Sequence, residues 1–441
     1  MSTHQLHRRN LLKIAAGIAG PTIVSSRVFG KDAPSNTLQI GCIGTGRMGH
    51  GDMGACLTQG LGKSVHARIV AVCDVDRRRA KHARAVVQDF YNRELPDMTH
   101  PSVAIYDDFR TLLAQQDIDG VTISTPDHWH GLIAIASAEA GKDIYLQKPL
   151  TYTIPEGKRL VHAVRKNRVI LQTGSQQRSD ANFRKACELV RNGRLGRLRT
   201  IRVTVPTDQG VGDATTAQIP SNLDYDMWLG PAPPAKYAED RVHPQASLTG
   251  RPGWLQIEPH CRGMITGWGS HMFDIAQWGH GSDETGPVAC KATGDFPHRW
   301  LFNVHTTFHA SLRYADGVEL IAQSGEPAGV VFEGEGSWIS VGRGRLEAQH
   351  PKILDAPAGL GDAHLYRSEN HMLNFLECMR SRRDPVCPVE VGHRSNSICV
   401  ITHMAMKLGR PLQWDPEAEQ FVDDDQANAL LNYDYRPPWG L

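Results

Sequence analysis

A glycine-rich turn follows a short apolar run near the N-terminal end of the chain. Leu38 to Ile43 (LQIGCI) has the length and apolar character of a buried strand, and GTGRMG follows it directly. Gly44, Gly46 and Gly49 therefore form G-x-G-x-x-G between a predicted strand and a predicted helix, which is the context that a dinucleotide-binding loop requires. The three glycines allow a tight turn, approach of the backbone to a pyrophosphate, and close packing of the helix on the strand.

Further short apolar runs alternate with helix-like stretches after this turn, and they are Arg68 to Cys73, Gly120 to Ser124 and Asp143 to Leu146. Such alternation is typical of a parallel sheet that helices cover on both faces. The sequence thus predicts an α/β fold whose N-terminal domain, residues 36–173, is a doubly wound Rossmann domain.

Asp74 ends the second apolar run, where the acidic residue of this fold accepts the ribose hydroxyls of the cofactor. A carboxylate there repels a 2′-phosphate and favours NAD over NADP, although Arg77 to Arg79 follow closely and could accommodate a phosphate. Ligands of parallel sheets bind at the carboxyl ends of the strands. The other predicted cofactor contacts therefore come from the glycine turn and from the loops after later strands: Thr45, Arg47, Met48, Thr125, Pro126, His128, His130 and Lys148.

The charge balance of the 441-residue chain argues against a polyanionic partner. Lys and Arg number 48 against 47 Asp and Glu, and no basic stretch is interleaved with aromatic residues, so no nucleic-acid partner is predicted. Nine cysteines without a C-x-x-C pair favour neither a disulfide framework nor a zinc ribbon. His128 and His130, at i and i+2, are typical of loop and helix-cap residues. We therefore predict no metal site.

Residues 1–30 have the pattern of an export signal. Arg8 and Arg9 precede the apolar run Ile14 to Val24, and small residues follow. As a helix this run would span roughly 16 Å, against about 30 Å for the hydrocarbon core of a bilayer, so no stable membrane span is expected. The pattern predicts a twin-arginine signal and a periplasmic protein that takes up its cofactor before export.

Together these motifs resemble the Gfo/Idh/MocA family of glucose-fructose oxidoreductases and inositol dehydrogenases. The resemblance rests on GCIGTGRMG, STPDHWH, EAGKDIYLQKPL and GWGSHMFDIAQW, and it extends over nearly all of the chain after the export signal. It implies a second, α+β domain, residues 174–441, with a large and mostly antiparallel sheet, C-terminal helices that return toward the first domain, and a homo-oligomer (dimer or tetramer). The sequence agrees, since Phe302 to Tyr314, an Asp-Gly turn and another apolar run predict a hairpin.

The resemblance also implies the chemistry of the site. Oxidation of a secondary alcohol requires a base for the hydroxyl proton, and histidine has a pKa near neutral pH. His271 and Asp274 match the H-x-x-D with which the family supplies this base. Lys148 matches the lysine of its E-K-P motif, although Gln147 replaces the acid. Members also carry a carboxylate four residues before the histidine, where this chain has Gly267.

We predict Lys148 and His271 as the catalytic pair, with Lys148 binding the substrate oxygen and His271 acting as the base. Other substrate-binding candidates are Trp129, Trp268 and Asp274, which shares a helical face with His271. Further polar and aromatic candidates are Tyr225, Asp226, Trp254, Glu258, His260 and Arg262.

The sequence favours an exported NAD-dependent oxidoreductase that acts on a sugar, polyol or sugar derivative and holds its cofactor tightly. Two alternatives remain open. Relatives of the family cleave glycosides by transient oxidation and elimination, and a retained cofactor suits that chemistry as well. A non-catalytic sugar- or nucleotide-binding protein is favoured if Gly267 marks the loss of the proton-transfer residues.

Overall fold

The computed structural model describes residues 37–62, 64–96, 102–356, 359 and 361–441. The predicted export signal, residues 1–30, lies outside these ranges. Within them, no helix combines the length with the apolarity needed to cross a membrane. The described chain contains two large sheets, one of six strands and one of nine.

The first sheet is built from the N-terminal part of the chain. Its strands are β1 (Leu38–Ile43), β2 (Ala67–Cys73), β3 (Ala104–Tyr106), β4 (Gly120–Ile123), β5 (Asp143–Leu146) and β6 (Leu171–Thr173). Their order is β3-β2-β1-β4-β5-β6, and each neighbouring pair is parallel. The prediction of a doubly wound Rossmann sheet is therefore confirmed. The three-residue strands β3 and β6 are too short to stand out in the sequence.

Helices connect these strands and pack apolar side chains on both faces of the sheet. They are α1 (Arg47–Gly60), α2 (Arg77–Glu94), α3 (Phe109–Leu113), α4 (Asp127–Glu139) and α5 (Ile154–Asn167). Polar side chains fix where two of them begin. The Asp76 carboxylate accepts backbone N–H groups at the start of α2, and Thr153 and Glu156 form a capping box at the start of α5.

The second sheet belongs to the C-terminal part of the chain. Its strands are β7 (Leu198–Val205), β8 (Ala289–Asp295), β9 (Thr307–Arg313), β10 (Glu319–Ser324), β11 (Gly329–Gly334), β12 (Trp338–Gly342), β13 (Arg345–Ala348), β14 (Leu412–Asp415) and β15 (Gln420–Phe421). Their order is β13-β12-β11-β7-β10-β9-β8-β14-β15; β7 and β10 pair in parallel, and the other pairs are antiparallel. The predicted mostly antiparallel sheet is confirmed. The predicted hairpin is β9–β10, with Gly317 at φ +91° in its turn.

The remaining α-helices follow β6 in the chain. They are α6 (Ala181–Arg191), α7 (Tyr225–Leu229), α8 (Met264–Gly267), α9 (Gly269–His280), α10 (His371–Ser381), α11 (Val389–Leu408) and α12 (Asp425–Ala429). Helices α6, α9 and α11 pack on the second sheet. Phe375 and Leu376 of α10 instead pack in one cluster with β1 and β2. The chain thus returns to the first sheet at α10.

The segment after α12 packs against the first domain. Arg436 forms an ion pair with Asp226 in α7. The Trp439 ring stands edge-on to Trp129 with 4.7 Å between the ring centroids, and the Arg110 guanidinium lies 5.2 Å from the Trp439 centroid. The end of the chain therefore supports the helix that begins directly after β4.

Candidate functional site

A cleft opens at the carboxyl ends of β1, β2 and β4, and we name it the glycine cleft. Its lining includes Gly44, Gly46, Asp74, Arg79, Thr125, Pro126 and Trp129. The turn after β1 and the loop after β4 thus face the same space, which is where ligands of open parallel sheets bind.

Steric constraints explain two of the three glycines of the turn. Gly44 has φ +81°, and a Cβ there would lie 2.7 Å from the backbone carbonyl of Ser124. A Cβ at Gly49 would lie 2.1 Å from the carbonyl oxygen of Gly44. Neither position accepts a side chain unless the backbone moves. The turn therefore holds the N-terminus of α1, with its free N–H groups, at the glycine cleft.

Two charged residues complete this end of the cleft. The Asp74 carboxylate accepts the backbone N–H and the hydroxyl of Thr45 at 2.8 and 2.9 Å. Arg79 lies over Gly46, where a Cβ would be 2.6 Å from its Nη1 atom. Arg79 is 8% exposed, and its Nε and Nη2 atoms have no hydrogen-bond partner among the described residues. A buried guanidinium of this kind suits a phosphate, so the cleft fits a dinucleotide.

Only part of the predicted cofactor set faces the glycine cleft. Thr125 and Pro126 line it, whereas His128 and His130 lie buried behind it. The His130 ring nitrogens lie 2.6 and 3.0 Å from the carbonyl oxygens of Pro149 and Thr125. His130 therefore connects the loops after β4 and β5, whereas His128 Nε2 lies 3.2 Å from the carbonyl oxygen of Trp228 in α7. Of the three arginines 77–79, which the sequence indicated as possible phosphate contacts, Arg79 lines the cleft.

A second space, of about 760 Å³, lies between the two domains, and we name it the histidine cavity. Arg47 and Met48 at the start of α1 line it, directly after the glycine that lines the cleft, so the two spaces meet at this helix end. The other polar or aromatic lining residues include Lys148, Gln176, Gln177, Asp180, Asp208, Arg251, Trp268, His271 and Arg343.

Lys148 enters the histidine cavity from the loop after β5. Its Nζ atom donates to the carbonyl oxygen of Gly267 at 2.8 Å, and burial lowers the pKa of the ammonium group. Gln147 next to it donates to both carboxylate oxygens of Asp52 at 3.0 Å. Glutamine suits this position, because a glutamate there would be buried against a second carboxylate. Burial raises the pKa of Asp52 to about 6.

His271 lies near the start of α9, and its nearest polar partner is Gln177. One terminal atom of the Gln177 amide lies 2.7 Å from His271 Nδ1, and the other lies 3.1 Å from Nη2 of Arg343. Because a guanidinium group only donates, we assign the amide oxygen to the Arg343 side and the amide nitrogen to the His271 side. Burial, together with the charges of Lys148 and Arg343, lowers the pKa of His271 well below its usual value. The ring is therefore neutral at physiological pH. The Arg343 guanidinium also lies 4.5 Å from the centroid of Trp268.

Asp274 is not brought to the histidine cavity. Its carboxylate is fully buried and accepts hydrogen bonds from Arg178 Nε and Ser395 Oγ, each at 2.8 Å. Arg178 is also paired with Asp283 at 2.7 Å. Asp274 thus neutralises a buried guanidinium. The side chain next to His271 Nδ1 is instead that of Gln177, for which the sequence predicted no role in the site.

The other candidates are distributed between the two spaces and the surrounding structure. Trp268 lines the histidine cavity, whereas Trp129 and Trp254 line the glycine cleft. The remaining polar candidates lie outside both spaces, and they are Tyr225, Asp226, Glu258, His260 and Arg262. All nine cysteines are buried free thiols. In the part of the chain that the structure describes, no three His, Cys, Asp or Glu side chains are grouped so as to hold a metal ion.

Comparison with known proteins agrees with this architecture. Residues 38–175 match the family model described as oxidoreductase family, NAD-binding Rossmann fold, and residues 187–441 match the model of the C-terminal alpha/beta domain of the same family. The chain therefore belongs to the Gfo/Idh/MocA oxidoreductase family, and the family indicated by the sequence motifs is confirmed.

Curated relatives match only part of the chain. Inositol 2-dehydrogenase 1 of Saccharopolyspora erythraea is 34% identical over 148 residues, which are 33% of this chain and 39% of that protein. A glycosyl hydrolase family 109 protein of Shewanella sp. is 29% identical over 220 residues, which are 44% of this chain and 45% of that protein. The chain thus matches less than half the length of these relatives.

A solved structure extends the similarity of fold to both domains. The WlbA dehydrogenase from Bordetella pertussis, in complex with NADH and UDP-GlcNAcA, has a TM-score of 0.62 to this chain at 19% sequence identity. The match covers 86% of this chain and 99% of the WlbA chain. At this identity, the likeness establishes the shared fold.

Proposed function

We propose that the protein is an NAD-dependent oxidoreductase that transfers a hydride between the nicotinamide and a secondary alcohol of a sugar, polyol or sugar derivative. The observation that carries the proposal is the junction of the glycine cleft with the histidine cavity at the N-terminus of α1. A dinucleotide site and a polar cavity with Lys148 and His271 thus share one border. Hydride transfer requires such an arrangement, because cofactor and substrate must meet.

When bound, NAD supplies the oxidised nicotinamide that accepts a hydride from the alcohol carbon. In the cleft, Asp74 and the amides of the glycine turn bind the ribose and the phosphates, and Arg79 adds a positive charge. In the cavity, Lys148 and His271 bind the hydroxyl group of the substrate. One of them takes the hydroxyl proton as the hydride leaves the carbon. The ammonium form of Lys148 also stabilises negative charge on the substrate oxygen.

A sugar or polyol suits the lining of the histidine cavity. Asp180, Asp208 and Gln176 offer hydrogen-bond acceptors and donors for hydroxyl groups, and Trp268 adds an aromatic surface. The names of the relatives point in the same direction, since an inositol dehydrogenase and glycosyl hydrolases are among them. The cavity volume of about 760 Å³ lies within the range of about 300–1,000 Å³ that is typical of small-molecule sites.

The test uses the purified full-length chain. The bound nucleotide is identified by mass spectrometry after denaturation, and a panel that includes myo-inositol, levoglucosan and common aldoses is screened for reduced nicotinamide. We expect NAD rather than NADP and reduction by at least one cyclic alcohol. Absence of any bound or binding nicotinamide dinucleotide would contradict the proposal.

Glycoside cleavage by transient oxidation is a second candidate, which the similarity to glycosyl hydrolase family 109 proteins favours. A bound cofactor that is regenerated in each cycle suits this chemistry. Aryl glycosides added to the same screen separate the two functions: aglycone release without net reduced nicotinamide identifies the glycosidase, and net reduction identifies the dehydrogenase.

The proposal also includes export through the twin-arginine route, tight retention of the cofactor and assembly of a homo-oligomer. A protein that works outside the cytoplasm has no free supply of NAD, so a loosely bound cofactor would be lost. Fractionation of cells that express the full chain tests the export. We expect the wild type in the periplasm and a variant with Arg8→Lys and Arg9→Lys in the cytoplasm.

A further inference from the structure

This inference rests on the oxidoreductase proposed above and concerns which residue takes the hydroxyl proton. The sequence motifs favour His271, since histidine is the usual base of the family. A base must present an unprotonated nitrogen to the substrate. The hydrogen bonds around the imidazole decide which of its two nitrogens is unprotonated.

The orientation of the Gln177 amide is fixed by Arg343. A guanidinium group has only donors, so the amide oxygen must face Arg343, from whose Nη2 and Nε atoms it accepts at 3.1 and 3.3 Å. The amide nitrogen then faces His271 Nδ1 at 2.7 Å and can only donate to it. Gln177 is 3% exposed, so its amide is held among these protein groups.

The contact determines the tautomer of His271. An Nδ1 atom that accepts a hydrogen bond carries no proton, and a neutral imidazole carries one proton in total. The ring is neutral because burial, Lys148, Arg343 and His371 all lower its pKa. The single proton therefore lies on Nε2, and the unprotonated nitrogen is occupied by Gln177.

We propose that Gln177 and Arg343 are positioning residues that hold His271 in its Nε2–H tautomer, so that His271 donates a hydrogen bond to the substrate oxygen and Lys148 takes the hydroxyl proton. The O–H bond of the alcohol breaks and an N–H bond forms on the neutral Lys148 amine. The electron pair of the O–H bond becomes the second bond of the carbonyl group, while the hydride leaves the carbon for the nicotinamide.

The surroundings of Lys148 suit this role. Its Nζ atom donates one N–H to a neutral acceptor, the backbone carbonyl oxygen of Gly267. Burial and the charge of Arg343 also favour the neutral amine, whereas Asp127 and Asp52 oppose this. The proposal requires the neutral amine, and the single contact with a carbonyl oxygen is compatible with a lone pair on Nζ that faces the substrate.

Nitrogen NMR of the full chain labelled with ¹⁵N-histidine tests the tautomer without any substrate. Protonated and unprotonated imidazole nitrogens have well separated shifts, and comparison with His271→Asn identifies the signals of His271. At neutral pH we expect an unprotonated Nδ1 and a protonated Nε2. A protonated Nδ1 with an unprotonated Nε2 would overturn the proposal.

Two variants sharpen the test. Gln177→Glu replaces the donor by a carboxylate, which accepts from both neighbours, so we expect the proton to move to Nδ1. Arg343→Met changes an exposed residue between β12 and β13, and we expect a mixture of both tautomers because the amide of Gln177 is then free to turn. Gln176→Glu is the matched control, because it adds the same charge at the neighbouring residue, whose amide donates to the hydroxyl of Tyr145. We expect it to leave the tautomer of His271 unchanged.

The NMR signals of His271 test the tautomer independently of the proposed oxidoreductase activity. If no alcohol reduces the cofactor, the NMR signals still report whether Gln177 fixes the tautomer. If the tautomer is the opposite one, hydride transfer can still be measured and His271 regains the role of base. An identical tautomer in Gln177→Glu and the wild type would also overturn the proposal.

Discussion

The glycine cleft and the histidine cavity adjoin each other, but they are built in different ways. The cleft is lined mainly by motifs of one domain, and its shape depends on backbone contacts such as that between Gly49 and Gly44. The cavity depends on side chains from distant segments, among them Lys148, Gln177 and Arg343. A backbone requirement leaves a pattern in the local sequence, whereas a network of side chains does not.

The largest expected effect concerns the histidine cavity. Lys148→Ala removes the group that takes the hydroxyl proton, and acid–base catalysis contributes about 10²–10⁴-fold to the rate. We expect turnover to fall by that factor while the nucleotide stays bound, since the glycine cleft is unchanged. Steady-state kinetics and the nucleotide content of the purified variant measure the two effects. Lys166→Ala, at an exposed site of α5, is the matched control, and an equal loss in both variants would contradict the role of Lys148.

A large loss of stability is expected at the ion pair beside the cavity. Arg178→Met leaves the fully buried Asp274 carboxylate without its partner, which costs about 3–5 kcal/mol. The free energy of unfolding in urea measures this loss. Arg184→Met removes the half-buried pair with Glu188, so we expect a change of at most about 1 kcal/mol. Similar losses in both variants would show that Asp274 does not depend on Arg178.

A smaller effect is expected at the glycine cleft. The Cβ of Gly49→Ala would meet a backbone oxygen at 2.1 Å, and overpacking of this kind costs about 1–3 kcal/mol. If the strain displaces the turn, binding of NAD weakens by about 5- to 150-fold, which calorimetric titration measures. Gly51→Ala is the control on the same helix, since its Cβ meets nothing within 4 Å. Equal affinities for the two variants would contradict the steric role of Gly49.

The smallest effect is a shift in the pH dependence caused by an acid at position 267. A Cβ at Gly267 would meet only the Met264 sulfur, at 3.8 Å, so a side chain fits there. The carboxylate of Gly267→Asp favours the ammonium form of Lys148 and raises its pKa by about one unit. Because the neutral amine is the base, kcat/KM rises as pH rises through this pKa. The acidic limb of the profile should therefore move about one pH unit higher.

Gly267→Asn provides the control for this shift, since it adds a side chain of nearly the same shape without the charge. We expect its profile to match that of the wild type. A profile of Gly267→Asp that does not move, or one that moves equally in Gly267→Asn, would contradict Lys148 as the titrating group.

The sequence predicted the fold well where local patterns are strong. The run before the glycine turn became β1, and the Asp-Gly turn became the turn of the β9–β10 hairpin. The two three-residue strands of the Rossmann sheet carry too few residues for any periodicity, so tertiary pairing alone defines them. Helical spacing predicted that Asp274 and His271 share one helix, α9. It did not predict the hydrogen-bond partner of either side chain.

The partners of His271 and Asp274 are two neighbouring residues of the short helical turn Gln176–Ser179. Gln177 points to His271, while Arg178 points to Asp274, and both contacts join segments that are far apart in the chain. Spacing within α9 could not reveal either of them. The buried Arg79 was similarly hidden, since three consecutive arginines appear alike in the sequence and only the fold buries one of them over Gly46.

Transfer of deuterium tests the central claim most directly, because it follows the hydride from the histidine cavity to the glycine cleft. The full chain is incubated with NAD and with the best alcohol of the panel, deuterated at its carbinol carbons, and the reduced nicotinamide is analysed by mass spectrometry. We predict one deuterium per reduced cofactor. Reduced cofactor without deuterium, or conversion of the alcohol without any reduction of the cofactor, would contradict direct hydride transfer between the two spaces.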